Sequence, residues 1–340
     1  MTQIIVTMWP AIDNEEKLTE LYENGVRILR FNFPHYNQET VVKSIKIIRR
    51  VEKKVWWKFQ LLIDTEWPEI RTWFLSNPID YSVWENFKIF VDEGKRDEKS
   101  LFCDYPSLVQ DVQVGWIVKI DAGLLEAEIL EKWDNYILVK ALNNFTVWSR
   151  RHINLPGIHY NLPGITSRDK ENVLFAIEQW FDFIALSFTR NADDVKELRE
   201  ILKQNKGSQT CLPVGEVKII SKIENQEWVD NIDKIIDSSD IIMVARGDLG
   251  TELPVETIPM HQMNIVKKCK IKNTPIVVAT QMLESMINAP IPTRAEVSDV
   301  FYAVLEWADY VMLSWETAIG KYPIDCVKVM NKVIQQAERN

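Results

Sequence analysis

Glycine is scarce in this chain: its 340 residues hold 11, fewer than the 13 tryptophans, where an ordinary chain carries about 7% glycine. The shortage matters because turns, helix ends and close backbone approaches to ligands draw on glycine's access to positive φ. Cysteine is scarce as well. Cys103, Cys211, Cys269 and Cys326 lie far apart with no CxxC pair and no histidine at zinc-finger spacing, which excludes a disulfide framework and a zinc ribbon and favours a reduced, cytoplasmic setting. Long apolar runs are missing: the stretch that opens MTQIIVTMWP is too short for the core of a signal peptide or a membrane span, and no later one is long enough. A soluble protein with no membrane partner is expected. Nor is there a clustered basic face. The net charge of -9 comes from interspersed signs, which argues against nucleic acid or an anionic membrane and leaves a small molecule as the expected partner.

What the chain does have is enough apolar material for a sizeable core, 46% hydrophobic residues against 26% charged. Short runs rich in β-branched residues recur at Ile4 to Met8, Val26 to Phe31, Phe59 to Ile63, Phe183 to Phe188, Val217 to Ile223, Ile241 to Ala245, Pro275 to Ala279 and Tyr310 to Leu313. They alternate with helical patterns: Leu18, Leu21 and Tyr22 after a capping pair Asp13/Glu16; Val195, Leu198 and Leu202; and Val297, Val300, Phe301, Val304 and Leu305. Such alternation predicts parallel strands joined by crossover helices, and eight units predict a closed (β/α)8 TIM barrel of the α/β class. The alternation breaks between about Thr72 and His152, where KIFVDE, IVKIDAG, AEILE and YILVKAL are strand-like and no helix is convincing. The expected organisation is a discontinuous barrel of residues 1–71 and 153–340 with an inserted small all-β barrel domain at 72–152.

In such a barrel the chemistry sits at the C-terminal ends of the strands. Polar residues collect there on seven of the eight: Arg30 and Asn32, Asp64 and Thr65, Ser187 and Arg190, Lys222 and Glu224, Arg246 and Asp248, Thr280 and Gln281, Ser314 and Glu316. Singly, each reads as a helix cap or ion-pair partner; their convergence predicts an anionic substrate, a phosphate above all, held with a divalent metal. Glu224 and Asp248 are hard oxygen ligands from adjacent strands and suit magnesium, which keeps several waters and takes one or two protein carboxylates. ARGDLG places Gly247 and Gly250 where backbone N–H groups can approach an anion. Lys222 is a point charge suited to a transferring phosphoryl group.

These residues lie in strings that closely resemble the pyruvate kinase family: RFNFPH (30–35), DTEWPEIRT (64–72), INLPG (153–157), FIALSFTR (183–190), SKIEN (221–225), MVARGDLG (243–250), ATQMLESM (279–286), PTRAE (292–296) and MLSWETAIGKYP (312–323). The resemblance implies transfer of a phosphoryl group from phosphoenolpyruvate to ADP, followed by protonation of the enolate to pyruvate. It implies that Lys222 stabilises the phosphoryl group and enolate, that Arg30 contacts the transferring phosphate, and that Glu224 and Asp248 hold Mg2+. Ala245, Arg246, Gly247 and Thr280 would receive the substrate carboxylate, with Thr280 and Ser314 near the protonation route. His35, Arg71 and Asn32 would lie on the nucleotide side. The inserted domain resembles the family's lid.

Three departures from the family pattern stand out. The family's C-terminal effector domain has no counterpart, since the chain stops soon after the last barrel helix, so effector control is not expected; self-association through the barrel is left open. The potassium ligands Asn32, Asp64 and Thr65 are in place, but the usual serine is Pro34, while Glu69 is the residue type that accompanies K+ use. Finally, Trp9, Trp67, Trp73, Trp84, Trp148, Trp180, Trp228, Trp307 and Trp315 stand where the family commonly has glycine, with Trp56 and Trp133 as further candidates. The codon UGA means tryptophan in some genetic codes and glycine in others, and the preferred expectation is that most of these tryptophans are glycine in the cell. If they are real, a catalytically impaired scaffold on the same barrel is the alternative; an aldolase or lyase using magnesium and an enolate is a second, against which the inserted domain and DTEWPEIRT speak. His152, His159 and His261 are expected to be structural.

Overall fold

The computed structural model describes every residue except 34–35, 67–69, 93–96, 159–163, 206–215 and 340. Pro34, His35, Trp67, Glu69, His159 and Cys211 therefore lie outside the described residues. The chain opens with β1 (Gln3–Thr7), α1 (Glu15–Glu23), β2 (Ile28–Asn32), α2 (Gln38–Val55) and β3 (Gln60–Asp64). Helix α2 forms because Asn37 caps it, its side chain accepting from the Thr40 N–H at 2.8 Å, and because Val41, Ser44, Ile45, Ile48 and Val51 recur at helical spacing and are buried against the barrel. At α1 the cap sits one residue later than expected. Asn14, not Asp13, accepts from the Lys17 N–H at 2.9 Å, because Asp13 is occupied by the Ser44 hydroxyl at 2.9 Å.

An excursion of short strands follows: β4 (Ile79–Tyr81), β5 (Asn86–Phe90), β6 (Leu101–Phe102), the single-turn α3 (Leu108–Asp111), β7 (Ile117–Ile120), β8 (Leu125–Lys132), β9 (Tyr136–Ala141), β10 (Phe145–Val147) and β11 (Ile153–Asn154). The expected β character is present. Its hydrogen bonding is a six-stranded sheet in the order β11-β7-β8-β9-β5-β6 with β10-β4 pairing apart, rather than one closed ring. Alternating burial along β9 and the inner half of β8 gives this sheet its own apolar core around Phe87, Ile89, Val118, Ile129 and Val139.

The barrel resumes with α4 (Ser167–Glu178), β12 (Phe183–Leu186), α5 (Ala192–Asn205), β13 (Lys218–Ile223), α6 (Gln226–Asp230), α7 (Ile232–Ser238), β14 (Ile241–Ala245), α8 (Arg246–Glu252), α9 (Ile258–Lys272), β15 (Ile276–Ala279), α10 (Arg294–Leu305), β16 (Tyr310–Leu313), α11 (Trp315–Ala318) and α12 (Pro323–Ala337). Eight parallel strands close in the order β1-β16-β15-β14-β13-β12-β3-β2, as the alternation predicts. Strands β12, β14 and β15 are buried at every position, the mark of parallel strands covered on both faces. Ile5, Leu62, Ile220, Met243, Val277 and Met312 belong to the interior cluster, each worth about 1.5–3 kcal/mol of apolar burial. Cys103, Cys269 and Cys326 are free and buried. Among the described residues no helix is long and apolar enough to cross a membrane.

Candidate active site at the barrel mouth

Registration of the parallel strands brings the polar strand ends level with one another: Thr7 pairs with Arg30 and Asn32 with Asp64. A cavity of about 340 Å³ opens there, lined by Thr7, Arg30, Asn32, Thr65, Ser187, Lys222, Asp248, Thr280 and Ser314, with Arg71 and His152 also contributing to its lining. His152, expected to be structural, thus borders the site, pairing with Arg71 through an isolated β-bridge.

The centre of the site is a compact charge network. Asp64, 1% exposed, accepts from Arg30 Nε at 2.9 Å and Nη2 at 2.5 Å. Its other oxygen accepts from the Ser187 hydroxyl at 2.9 Å and pairs with Lys222 Nζ at 3.2 Å. Lys222 Nζ also donates to Ser187 Oγ at 3.0 Å and meets Glu224 Oε1 at 2.8 Å. Glu224 Oε2 accepts the Phe188 N–H at 2.7 Å, while Oε1 has the ion pair but no hydrogen bond of ordinary geometry.

The electrostatics follow from burial and from who faces whom. Burial works against both charged forms of the Asp64–Lys222 pair. The Lys222 and Arg30 charges nevertheless hold Asp64 below its ordinary value, and the fields of Asp64, Glu224 and Asp248 raise Lys222 above its own. Glu224 goes the other way: burial pushes it up to about 8, with Asp248 adding to the shift and Lys222 offsetting part of it. Two cations, Arg30 and Lys222, face three carboxylates, Asp64, Glu224 and Asp248. The carboxylates outnumber the cations by one, and the excess shows on Glu224, where burial outweighs the Lys222 ion pair. A hard cation between Glu224 and Asp248 would relieve it. A pair of carboxylates is a donor set that suits Mg2+, which takes one or two protein carboxylates and leaves its remaining positions to water and substrate.

Thr280 and its neighbour complete the floor. Thr280 has φ of 71° and Gln281 of 54°, and a β-branched residue in the left-handed region is a strained conformation of the sort that collects at functional sites. Thr280 Oγ1 accepts the Gly247 N–H at 2.7 Å. The Ser314 hydroxyl is buried without a hydrogen-bond partner and borders the cavity. Four expected contributors stand back from it. Asp64 and Glu224, buried within the charge network, do not line it. Ala245 and the Arg246 side chain are absent from the lining; the Arg246 guanidinium turns to Asp299 on α10, at 2.6 and 2.7 Å, and to the Thr280 carbonyl at 2.7 Å.

Three contributors carried no role in the sequence reading. Thr7 makes β1 the eighth strand to supply a polar end: its hydroxyl accepts from Arg30 Nη1 at 3.0 Å and donates to the Leu313 carbonyl at 2.9 Å. Lying inside the apolar run Ile4 to Met8, it gave no polar signal. Ser187 and Glu316 were visible only as strand-end polar residues. Glu316, 2% exposed, accepts the Leu283 N–H at 3.1 Å and the Ser314 N–H at 2.7 Å, and burial raises its pKa.

A closed (β/α)8 barrel with lysine, arginine and paired carboxylates at its strand ends defines the class: a barrel protein with a site for an anion and a hard cation. Residues 1–327 match the family model for pyruvate kinase, barrel domain, and the chain belongs to the pyruvate kinase family. It is 41% identical over 340 residues to a pyruvate kinase of Bacillus licheniformis and 40% identical over 341 residues to one of Geobacillus stearothermophilus. In each case 99% of this chain is covered and 57% of the relative, so the chain spans a little over half the length of these proteins. The crystal structure of a pyruvate kinase from Cryptosporidium parvum superposes with a TM-score of 0.95 at 42% identity, covering 99% of this chain and 69% of that one.

Proposed function

We propose that the chain acts as a pyruvate kinase, a phosphotransferase that moves the phosphoryl group of phosphoenolpyruvate to ADP, giving pyruvate and ATP in the last step of glycolysis. The observation that carries this reading is Lys222 Nζ, held between the buried Asp64 and Glu224 with Arg30 on the same aspartate, so that the two cations, Lys222 and Arg30, border one cavity. The bond from phosphorus to the enol oxygen breaks as one to the ADP terminal oxygen forms, and negative charge spreads over both oxygens and the phosphoryl group. Arg30 and Lys222 meet that charge without having to reorganise, because buried carboxylates already fix them. The enolate then takes a proton at its methylene carbon, and Thr280 and the unpartnered Ser314 hydroxyl are placed to order the donor.

Glu224 and Asp248 would hold Mg2+, which neutralises phosphoryl charge when bound. Gly247 offers the backbone approach for the substrate carboxylate, with Ala245 and Arg246 shaping it from behind. Asn32, Asp64 and Thr65 are the potassium candidates; Asp64 is already matched by Arg30 and Lys222, which supports weak K+ activation. Arg71, with Asn32 and His35, would serve the nucleotide, and residues 72–152 would form a lid over the barrel of 1–71 and 153–340. One contact favours the lid: Lys119 Nζ donates to the Thr251 carbonyl at 2.8 Å on α8, the helix that carries Asp248.

The ion requirement tests the proposal. Pyruvate formation is expected to vanish on chelation, return with Mg2+, and rise with KCl against a tetramethylammonium control only at high concentration. Turnover indifferent to chelation would count against Glu224 and Asp248 as ligands. Full turnover in the tetramethylammonium control would remove the potassium site.

A further inference from the structure

Four tryptophans occupy backbone conformations that belong to glycine: Trp56 at φ 53°, Trp84 at 70°, Trp180 at 65° and Trp307 at 82°. In this region an L side chain crowds the following carbonyl, and a bulky residue there is an outlier. The fold itself provides the comparison. After α1, Gly25 at φ 84° donates to the Tyr22 carbonyl at 3.0 Å and Val26 reaches back to Leu21 at 3.0 Å. After α4, Trp180 donates to Ile177 at 3.2 Å and Phe181 to Ala176 at 3.0 Å; after α10, Trp307 donates to Val304 at 2.9 Å and Ala308 to Ala303 at 3.1 Å. These are the same helix-ending motif, whose left-handed residue is usually glycine and sometimes asparagine. The end of α9 shows the second choice, Asn273 at φ 55°.

Three of the four indoles are not held by packing, and Trp180 is only half-buried. Trp56 is 93% exposed, Trp307 70% and Trp84 66%, whereas a tryptophan kept for its apolar surface is highly buried on average. Trp228 contrasts with them in backbone: it is fully buried in α6 without a positive φ and packs edge-on against Phe188 at 5.2 Å, although its indole N–H has no hydrogen-bond partner, so its geometry carries no inference either way.

We infer that Trp56, Trp84, Trp180 and Trp307 are glycine in the protein as its own cell makes it, inserted at a codon that another genetic code reads as tryptophan. One reassigned codon accounts for all four at once, and for the inversion of the tryptophan and glycine counts. The inference rests on backbone geometry and exposure, and so stands or falls apart from the reaction assigned to the barrel mouth.

Peptide mass spectrometry on the protein isolated from its source cell reads the residues directly. Each peptide spanning one of the four positions is expected at the mass of its glycine form, and a tryptophan mass at any of them overturns the inference. A second measurement uses the chain as written and its quadruple Trp→Gly variant. Relief of the left-handed strain is expected to raise the thermal midpoint by roughly 2 °C or more per site, whereas Trp57→Gly, made as a control in the chain as written, does not raise it. A quadruple variant no more stable than the parent overturns the conformational argument.

Discussion

At the scale of the residue, Glu224 is the most informative group in the molecule. Its carboxyl is raised from 4.5 to about 8 because it is buried and faces Asp248, so the fold favours its protonated form. A folded pKa above the unfolded one contributes stability that is fully present below 4.5 and is lost as pH rises through about 8. In metal-free buffer the thermal midpoint of the parent chain should therefore fall over that window, while Glu224→Gln, which carries no ionisable group, should lose this part of the slope. Parent and variant with the same slope would contradict the assignment of Glu224 as the carboxylate that burial raises. Mg2+ should flatten the parent, since a bound cation supplies the missing positive charge.

Elements rather than side chains explain why much of the site could be read from sequence. Each barrel strand falls within two residues of the apolar run that predicts it, as at Ile241–Ala245 and Tyr310–Leu313, because strands covered on both faces are written as unbroken apolar runs. Polar residues that interrupt the ends of those runs must then face the mouth. What sequence could not show is pairing between distant loops. Thr7 gains its role from Arg30 on the neighbouring strand β2, the Arg246 guanidinium leaves the mouth for Asp299, and β4 and β6 are too short to register as runs. Glu316 shows the principle at its sharpest: one buried carboxylate accepts backbone N–H groups from the loops after β15 and β16, and so holds Thr280 and Ser314 in register as a positioning residue. Glu316→Gln puts an amide N–H2 against one of those donors and should cost about 1–3 kcal/mol of stability. If Glu316 positions the site, kcat should also fall by about tenfold with KM little changed. A loss of stability with unchanged kcat would reduce it to a structural tie.

For the whole molecule, the architecture concentrates charge where the eight strands end and leaves the rest of the barrel apolar. The inserted β region reaches α8 through Lys119, so under the proposed lid role its closure would bear on the placement of Asp248. The proposed phosphoryl transfer would use such a link, since it has to admit two anions and then exclude water. The central claim is that Lys222, fixed by Asp64 and Glu224 at the rim of this cavity, neutralises a phosphoryl group in flight. Phosphorus NMR on protein from the source cell, supplied with phosphoenolpyruvate, ADP, Mg2+ and K+, follows that event directly. The account predicts loss of the phosphoenolpyruvate signal matched by growth of the ATP terminal phosphate, and a rate lower by several orders of magnitude in Lys222→Met. A stable phosphoenolpyruvate signal with the unaltered protein, or a Lys222→Met variant as fast as its parent, would contradict it.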